Sequence, residues 1–363
     1  MGIEKIDANF AKQKVVSNGE AVYSIPSPNF ALYGVTYNER EQAFVRMDMD
    51  VAAKVSDGVH GLARYTSGGR LCFATDSATL KITVTYPKLL VMHHMAITGS
   101  SGFSLFKKTE RGEEYVAILM PYFMDEKGFS AAAKLQGGEM QEYVLYFPLY
   151  QDISSLQITL DENARVQRGK GYRDIAPILY YGSSITQGGC ASRPDNAYQA
   201  LICQRNQIDY INLGFSGNAK GEKEMVAYLG GLNCSLFVCD YDHNAPTAAH
   251  LLATHYPLYQ QFREMQPNTP ILFLSKPDIA RDRNEGEERV KIIRSTYLKA
   301  KRAGDDNVYF LSGKSFYGKK NCAEFAVDGC HPTDCGFRVM ADKIYKKMCE
   351  IDEKFKGEKT QND

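Results

Sequence analysis

The chain has 363 residues, of which 44% are hydrophobic and 24% are charged, as in ordinary globular proteins. This length is ample for two domains. Lysine plus arginine balances aspartate plus glutamate at 43 each, which argues against a nucleic acid or a membrane surface as the partner. The chain has no apolar run close to the roughly 18 residues of a membrane-spanning helix.

Nine cysteines are scattered along the chain without a C-x-x-C pair. This pattern favours free thiols over a disulfide framework or a structural zinc site. The first 50 residues also lack the basic start and apolar core of a signal peptide. We therefore expect a cytoplasmic protein, or a secreted one if a signal peptide has been removed. We expect no metal and no other cofactor.

Up to about residue 160, short stretches rich in β-branched and aromatic residues alternate with turns rich in glycine and serine. The predicted strands are Arg70–Ala74, Leu80–Tyr86, Tyr115–Leu119, Glu142–Phe147 and Leu156–Leu160. Many short strands at this spacing predict a β-sandwich or jelly-roll domain, which we place at residues 1–165. The charged segment 161–174 is the predicted linker.

Strands and helices alternate after this segment, over residues 172–356. This alternation predicts an α/β domain, a parallel sheet covered by helices on both faces. The predicted strands are Ile178–Tyr181, Ile208–Leu213, Leu236–Asp240, Pro270–Ser275 and Val308–Leu311. The predicted helices are Ala197–Asn206, Lys220–Leu229, Ala248–Gln266, Glu287–Ala303 and Asp334–Phe355. Functional residues collect at the carboxyl ends of such strands.

Chemically useful groups follow these strand ends. Ser184 lies just beyond the first strand, Gly217 follows the second, and Asn244 follows the third. Asp328 and His331 form an Asp-x-x-His pair before the last helix. Because all these positions converge on one edge of the sheet, we predict a single site built from them.

Ester hydrolysis requires such a set of groups. A serine hydroxyl becomes a good nucleophile when an imidazole takes its proton, and a carboxylate holds that imidazole in the correct tautomer. The sequence therefore predicts Ser184 as nucleophile, His331 as base and Asp328 as its partner. The predicted oxyanion hole consists of the N–H groups of Ser184 and Gly217 and the side-chain amide of Asn244.

These blocks, in this order, resemble those of the SGNH (GDSL-type) hydrolase superfamily, which implies a flavodoxin-like three-layer α/β/α fold. The first half resembles the β-sandwich domain of two-domain carbohydrate esterases at four stretches: Gly69-Arg70, Thr75-Asp76-Ser77, Gly102–Leu105 and Leu145–Pro148. The sequence departs from the family pattern at two positions. Ser183 replaces the usual aspartate of the first block, a form frequent in carbohydrate-active members. His243 replaces the glycine that usually precedes Asn244.

Some alternatives stay open within the site. Asp240 and His243 form a second Asp-x-x-His pair, but they directly follow a strand, where the side chains are expected to diverge. Candidates for the substrate pocket are Ser183, Tyr241, His243 and Lys276. Cys190 and Cys330, close in sequence to the catalytic blocks, are expected to be small residues of the pocket wall.

The resemblance implies a serine esterase that hydrolyses small O-acyl esters of a carbohydrate, with O-acetyl as the favoured group. One alternative is a lipid esterase or acyl-thioesterase of the same superfamily. An alternative from another class is a non-catalytic carbohydrate-binding protein. The expected partner is a small-molecule or oligosaccharide ester, and a homo-oligomer remains open.

Overall fold

The computed structural model of the protein describes residues 14–17, 19–122, 127–277, 285–317 and 322–357. Residues 1–13 of the predicted N-terminal domain therefore lie outside the described part. Among the described helices, none is both long and apolar enough to cross a membrane.

The strands, in chain order, are β1 Lys14–Ser17, β2 Glu20–Ile25, β3 Ala31–Tyr33, β4 Thr36–Asn38, β5 Ala43–Val45, β6 Arg70–Thr75, β7 Thr79–Thr85, β8 Phe103–Thr109, β9 Gly112–Leu119, β10 Gly128–Lys134, β11 Gln141–Tyr146, β12 Ser155–Asp161, β13 Val166–Arg168, β14 Ile178–Gly182, β15 Tyr210–Gly214, β16 Leu236–Asp240, β17 Ile271–Leu274 and β18 Val308–Leu311. The α-helices are α1 Met49–Val55, α2 Asp57–Ala63, α3 Ile97–Ser100, α4 Ser184–Gln187, α5 Tyr198–Asn206, α6 Lys223–Gly231, α7 Ala248–Met265, α8 Glu285–Arg302, α9 Lys314–Tyr317 and α10 Asp334–Ile351.

The N-terminal half forms two large antiparallel sheets, in the strand orders β1-β2-β12-β7-β10 and β13-β6-β11-β8-β9, with β3 also paired to β6. Strands β4 and β5 form a small separate sheet. Strand β7 alternates buried and more exposed residues, as a strand with one face on a core does. Its buried residues share one apolar core with Leu71 and Phe73 of β6 in the other sheet. The predicted β-rich N-terminal fold is confirmed. The predicted linker 161–174 was too broad, because it contains β13.

Besides the short α3, two helices of seven residues, α1 and α2, lie in this β-rich half, although the sequence there predicted strands and turns. Asp48 caps α1 by accepting N–H hydrogen bonds from Asp50 and Val51, and Ser56 caps α2 in the same way. The buried residues Met49, Ala52 and Val59 of these helices pack into a core shared with the C-terminal half. The helices were missed because each is only seven residues long, too short to show a helical period.

The C-terminal half contains a parallel sheet in the order β15-β14-β16-β17-β18. Every residue of β14 and β16 is buried, because helices cover both faces. Ile178 and Tyr180 point to the core formed with α5 and α10. Leu179 and Tyr181 point to the opposite core, formed with α6, α7 and α8. The predicted three-layer α/β/α fold is thus confirmed.

Strand β15 lies at the edge of this sheet, so the carbonyl groups on its outer side have no neighbouring strand. Arginines from the N-terminal half supply the missing donors. Arg70 donates to the carbonyl oxygen of Tyr210 at 2.8 Å, and its guanidinium stacks on the Tyr210 ring. Arg46 donates to the carbonyl oxygens of Asn212 and Gly214 at 3.0 and 2.7 Å. Both side chains are buried, which makes these bonds costly to lose.

Replacing Arg46 with methionine should destabilise the protein. The guanidinium also donates to the carbonyl oxygen of Leu62, which keeps the Tyr65 N–H as a second donor. The variant therefore leaves two buried carbonyl groups, those of Asn212 and Gly214, without this donor. At about 1–3 kcal/mol for each buried group, the free energy of unfolding should fall by about 2 kcal/mol or more. Urea denaturation would measure the change.

Arg40→Met is the matched control, because Arg40 pairs with Asp50 at the exposed surface. It should leave the free energy of unfolding nearly unchanged, because solvent screens an exposed ion pair. Equal effects of the two substitutions would contradict the role given to Arg46.

Candidate active site

Ser184 begins helix α4 directly after β14. Ser183 caps this helix by accepting a hydrogen bond from the Ile185 N–H at 3.2 Å. The strand must end in a glycine here, because a Cβ on Gly182 would lie 2.3 Å from the Asp240 carbonyl oxygen and 2.1 Å from Thr186 Oγ1. This tight strand-to-helix turn places Ser184 at the carboxyl end of the sheet.

The structure brings Ser184, His331 and Asp328 together, although they are far apart in the sequence. Ser184 Oγ lies 2.8 Å from His331 Nε2, and His331 Nδ1 lies 2.7 Å from Asp328 Oδ2. An imidazole that donates its Nδ1 proton to the carboxylate keeps a lone pair on Nε2 for the serine hydroxyl. The geometry is that of a nucleophile, a base and an orienting carboxylate.

Asp328 also organises the turn that carries His331. Its Oδ1 accepts hydrogen bonds from the backbone N–H groups of Cys330 and His331 at 2.9 and 2.8 Å. Burial by itself raises the pKa of Asp328, but these two bonds and the one from the imidazole outweigh it and hold that pKa well below its usual range. The carboxylate therefore stays ionised well into the acidic range.

The residues predicted for the oxyanion hole lie in adjoining loops. The Gly217 N–H donates to Asn244 Oδ1 at 3.1 Å, and Asn244 Nδ2 donates to the Phe215 carbonyl oxygen at 2.7 Å. Asn244 thus connects the ends of the second and third strands and fixes the loop of Gly217. An amide nitrogen carries two hydrogens, so Asn244 Nδ2 has a second N–H beyond its bond to Phe215.

The second Asp-x-x-His pair has a different arrangement. The Asp240 carboxylate accepts a hydrogen bond from Thr186 Oγ1 at 3.3 Å, beneath the turn of Ser184. His243 Nδ1 instead lies 3.6 Å from the Cys330 sulfur, next to the catalytic pair. Burial, followed by the positive charge of Lys276, lowers the pKa of His243 well below its usual value. His243 is therefore neutral, and its pocket role stays a prediction.

The four pocket candidates do not share one environment. Tyr241 is 1% exposed, and its hydroxyl bonds to Thr254 Oγ1 within the core, so its predicted pocket position was wrong. Ser183 is fully buried and serves as the helix cap, so it does not face a pocket either. Lys276 lies half-buried at the end of β17, where its backbone N–H donates to Asp242 Oδ2 at 2.9 Å.

Several neighbours of Ser184 were not assigned to the site from the sequence. Tyr150 of the N-terminal half donates its hydroxyl to the Ser184 carbonyl oxygen at 3.2 Å. The exposed His94 ring lies 5.5 Å from the His331 ring, centre to centre. No local sequence pattern marks either residue, because the contacts depend on how the two halves pack. Both halves of the chain therefore contribute to the site.

Cys190 was expected at the pocket wall and does lie near the catalytic pair. Its sulfur donates a hydrogen bond to the His94 carbonyl oxygen at 3.3 Å. Burial, followed by the negative charge of Asp328, raises the pKa of the Cys190 thiol to about 12. A protonated thiol is a weak nucleophile, so Cys190 does not compete with Ser184 for that role.

Three clefts among the described residues lie away from Ser184. A cleft of about 710 Å³ runs between the halves and is lined by residues such as Lys108, Glu113 and Arg173. Two other clefts have volumes of about 530 and 520 Å³. The first is lined by residues between 36 and 50 together with Tyr228. The second is lined by residues between 259 and 267 and by residues 303–307. None of the three includes Ser184, Asp328 or His331, so the site is defined here by its chemistry and not by cleft volume.

Comparison with known families agrees with this architecture. The family described as GDSL-like Lipase/Acylhydrolase matches residues 176–349. The family described as the N-terminus of SGNH-hydrolase-type esterases matches residues 23–166. The two matches together span both halves of the fold. The chain therefore belongs to the SGNH (GDSL-like) hydrolases and is a hydrolase of that type.

Solved structures with both halves are also similar to this chain. A protein from Bacteroides ovatus, described as a GDSL-like lipase, has a TM-score of 0.82 and 25% identity, over 91% of this chain and 98% of its own. The salicylyl-acyltransferase SsfX3 from a tetracycline biosynthetic pathway has a TM-score of 0.76 and 18% identity, over 93% of this chain and 98% of its own.

The acetyl xylan esterase Est2A from Butyrivibrio proteoclasticus has a TM-score of 0.60 and 12% identity, over 92% of this chain and 98% of its own. At their low identities, SsfX3 and Est2A show the fold alone. A search of curated protein sequences finds no match.

The ionised carboxylate of Asp328 leads to a prediction about the pH dependence of ester hydrolysis. Because hydrogen bonds keep this carboxylate ionised in acid, Asp328 should take up no proton in the pH range over which ester hydrolysis is lost on the acid side. A plot of log kcat/KM against pH should then rise with a slope of about one. A slope of two would show that Asp328 takes up a proton in the same pH range as a second group, which the geometry contradicts.

Proposed function

We propose that this protein is a serine esterase that removes small acyl groups, above all O-acetyl groups, from a carbohydrate. The observation that carries the proposal is the continuous contact from Ser184 Oγ through the His331 imidazole to the Asp328 carboxylate. This is the arrangement that acyl transfer to a serine requires.

In the proposed mechanism, His331 Nε2 takes the proton of the Ser184 hydroxyl while Oγ attacks the acyl carbon. The N–H groups of Ser184 and Gly217 and the Asn244 amide stabilise the oxyanion. For this, the oxyanion must share the Gly217 N–H with Asn244 Oδ1. His331 then protonates the departing sugar oxygen. Water, deprotonated by the same imidazole, releases the acid from Ser184.

The carbohydrate part of the proposal is supported by the polar surroundings of Ser184. His94, His243, Asn244 and Lys276 lie around the catalytic pair or at the same strand ends. The serine at position 183, in place of the family's aspartate, and the fold shared with an acetyl xylan esterase favour the same substrate class.

Replacing Ser184 with alanine should lower kcat for a chromogenic acetate ester by at least about 10³-fold, because no other group replaces the nucleophile. Ser183→Ala is the matched control. It removes only a helix cap, so it should cost about 1 kcal/mol of stability and leave most of the activity. A Ser184→Ala variant that retained full activity would refute the serine mechanism.

The substrate class is tested by acetate release from acetylated monosaccharides and oligosaccharides, compared with a series of p-nitrophenyl esters of increasing acyl length. We expect the acetylated sugars to be hydrolysed and the acetate ester to be the best of the series. Rates that rise with acyl length would favour the lipid esterase or thioesterase. Saccharide binding without any hydrolysis would favour the carbohydrate-binding alternative.

A further inference from the structure

Three side chains of the kinds that bind metal ions meet beside Ser184. One ligand atom each from His94, Cys190 and His331 lies within 4.8 Å of the other two. His94 comes from the N-terminal half, Cys190 from the loop after α4, and His331 from the turn before α10. Neither His94 nor Cys190 has a part in the proposed hydrolysis, so their position next to the base calls for a separate explanation.

The tautomer of His331 that allows it to act as a base also allows it to bind a metal ion. Asp328 accepts the Nδ1 proton, which directs a lone pair along Nε2. An imidazole oriented by a carboxylate in this way is the usual arrangement of histidines that bind zinc. The same nitrogen is 2.8 Å from Ser184 Oγ. A metal ion on Nε2 would therefore take the lone pair that accepts the serine proton.

The backbone conformation at Cys190 keeps this residue close to His331. Cys190 has a φ of 72°, in the left-handed region that side chains other than glycine rarely adopt. The preceding Gly189 leaves space for the imidazole, since a Cβ there would lie 3.0 Å from His331 Cδ2. Beyond Cys190, the Ser192 N–H donates to Asp334 Oδ1 at 2.9 Å, at the start of α10. The loop is thus fixed at its Ser192 end.

We propose that His94, Cys190 and His331 bind a zinc ion, and that this ion reversibly inhibits hydrolysis. The ion accepts lone pairs from one nitrogen of each histidine and from the Cys190 thiolate, and the thiol proton passes to water. A water molecule completes a tetrahedral site. Ser184 then has no acceptor for its proton. Metal binding is independent of the proposed function, whereas the inhibition depends on it.

Distance and donor chemistry both favour zinc. Zinc–ligand bonds of about 2.0–2.3 Å place tetrahedral ligand atoms about 3.5 Å apart, so the cluster needs to contract by at most about 1.3 Å. The exposed His94 side chain leaves room for this contraction. Two imidazoles and a thiolate suit zinc, whereas magnesium prefers oxygen ligands.

The first experiment measures hydrolysis of a chromogenic acetate ester in the presence of ZnCl₂. We expect inhibition that EDTA reverses and that MgCl₂ at equal concentration does not reproduce. His94→Gln and Cys190→Ser should each raise the inhibition constant for zinc by about 10-fold or more. The matched controls are His93→Gln and Cys335→Ser, which change an exposed neighbouring histidine and an exposed cysteine and should leave the constant unchanged.

The second experiment measures binding of ZnCl₂ by calorimetry, and of CoCl₂ by absorption, to the Ser184→Ala variant. This variant lacks the nucleophile but keeps all three ligands, so it should bind one ion and show a thiolate-to-cobalt charge-transfer band. Metal binding without hydrolysis by the wild type would overturn the proposed esterase and leave the metal site intact.

The zinc site itself would be overturned if Ser184→Ala bound no ion. It would also be overturned if His94→Gln bound zinc as tightly as the His93→Gln control, a comparison that does not depend on how Cys190→Ser folds.

Discussion

The open edge of the parallel sheet is the constraint on which the rest of the structure depends. Strand β15 carries the loop of Gly217, yet it has a neighbouring strand on only one side. Its outer carbonyl groups lie inside the protein, where missing hydrogen bonds are costly. Arg46 and Arg70 satisfy them with donors from the other half of the chain. The β-rich half is therefore part of the structural support of the site.

This support extends to the reacting groups. Tyr150 contacts the Ser184 backbone, and His94 lies beside His331, both from segments that belong to the N-terminal half. Helices α1 and α2 pack into the same core as one face of the parallel sheet. The two halves therefore share cores and site residues, and a change in their packing would alter the geometry around Ser184.

The sequence was informative for residues that directly follow the strands of the parallel sheet. Parallel strands bring their carboxyl ends to one edge, so the relative positions of Ser184, Gly217 and Asn244 could be predicted from the order of the elements. The short spacing of Asp328 and His331 similarly predicted a local pair. The catalytic and oxyanion roles of these residues remain predictions.

Contacts between the halves could not be predicted in this way. No local sequence pattern indicates what Arg46 and Arg70 contact, and their partners become apparent only when an edge strand is found without a neighbour. Tyr241 was misplaced for a related reason: a residue that follows a strand can turn either to the surface or into the core. The hydrogen bond to Thr254 and the packing against His255 fix it in the core.

The arginine contacts also have a consequence for folding during synthesis. Arg46 and its acceptor Gly214 are 168 residues apart in the chain. Contacts of such long range are slow to form because a large loop must close first. A ribosome releases the N-terminal half first, and domains generally fold as units as they emerge. The donors are thus synthesised before the edge strand that requires them.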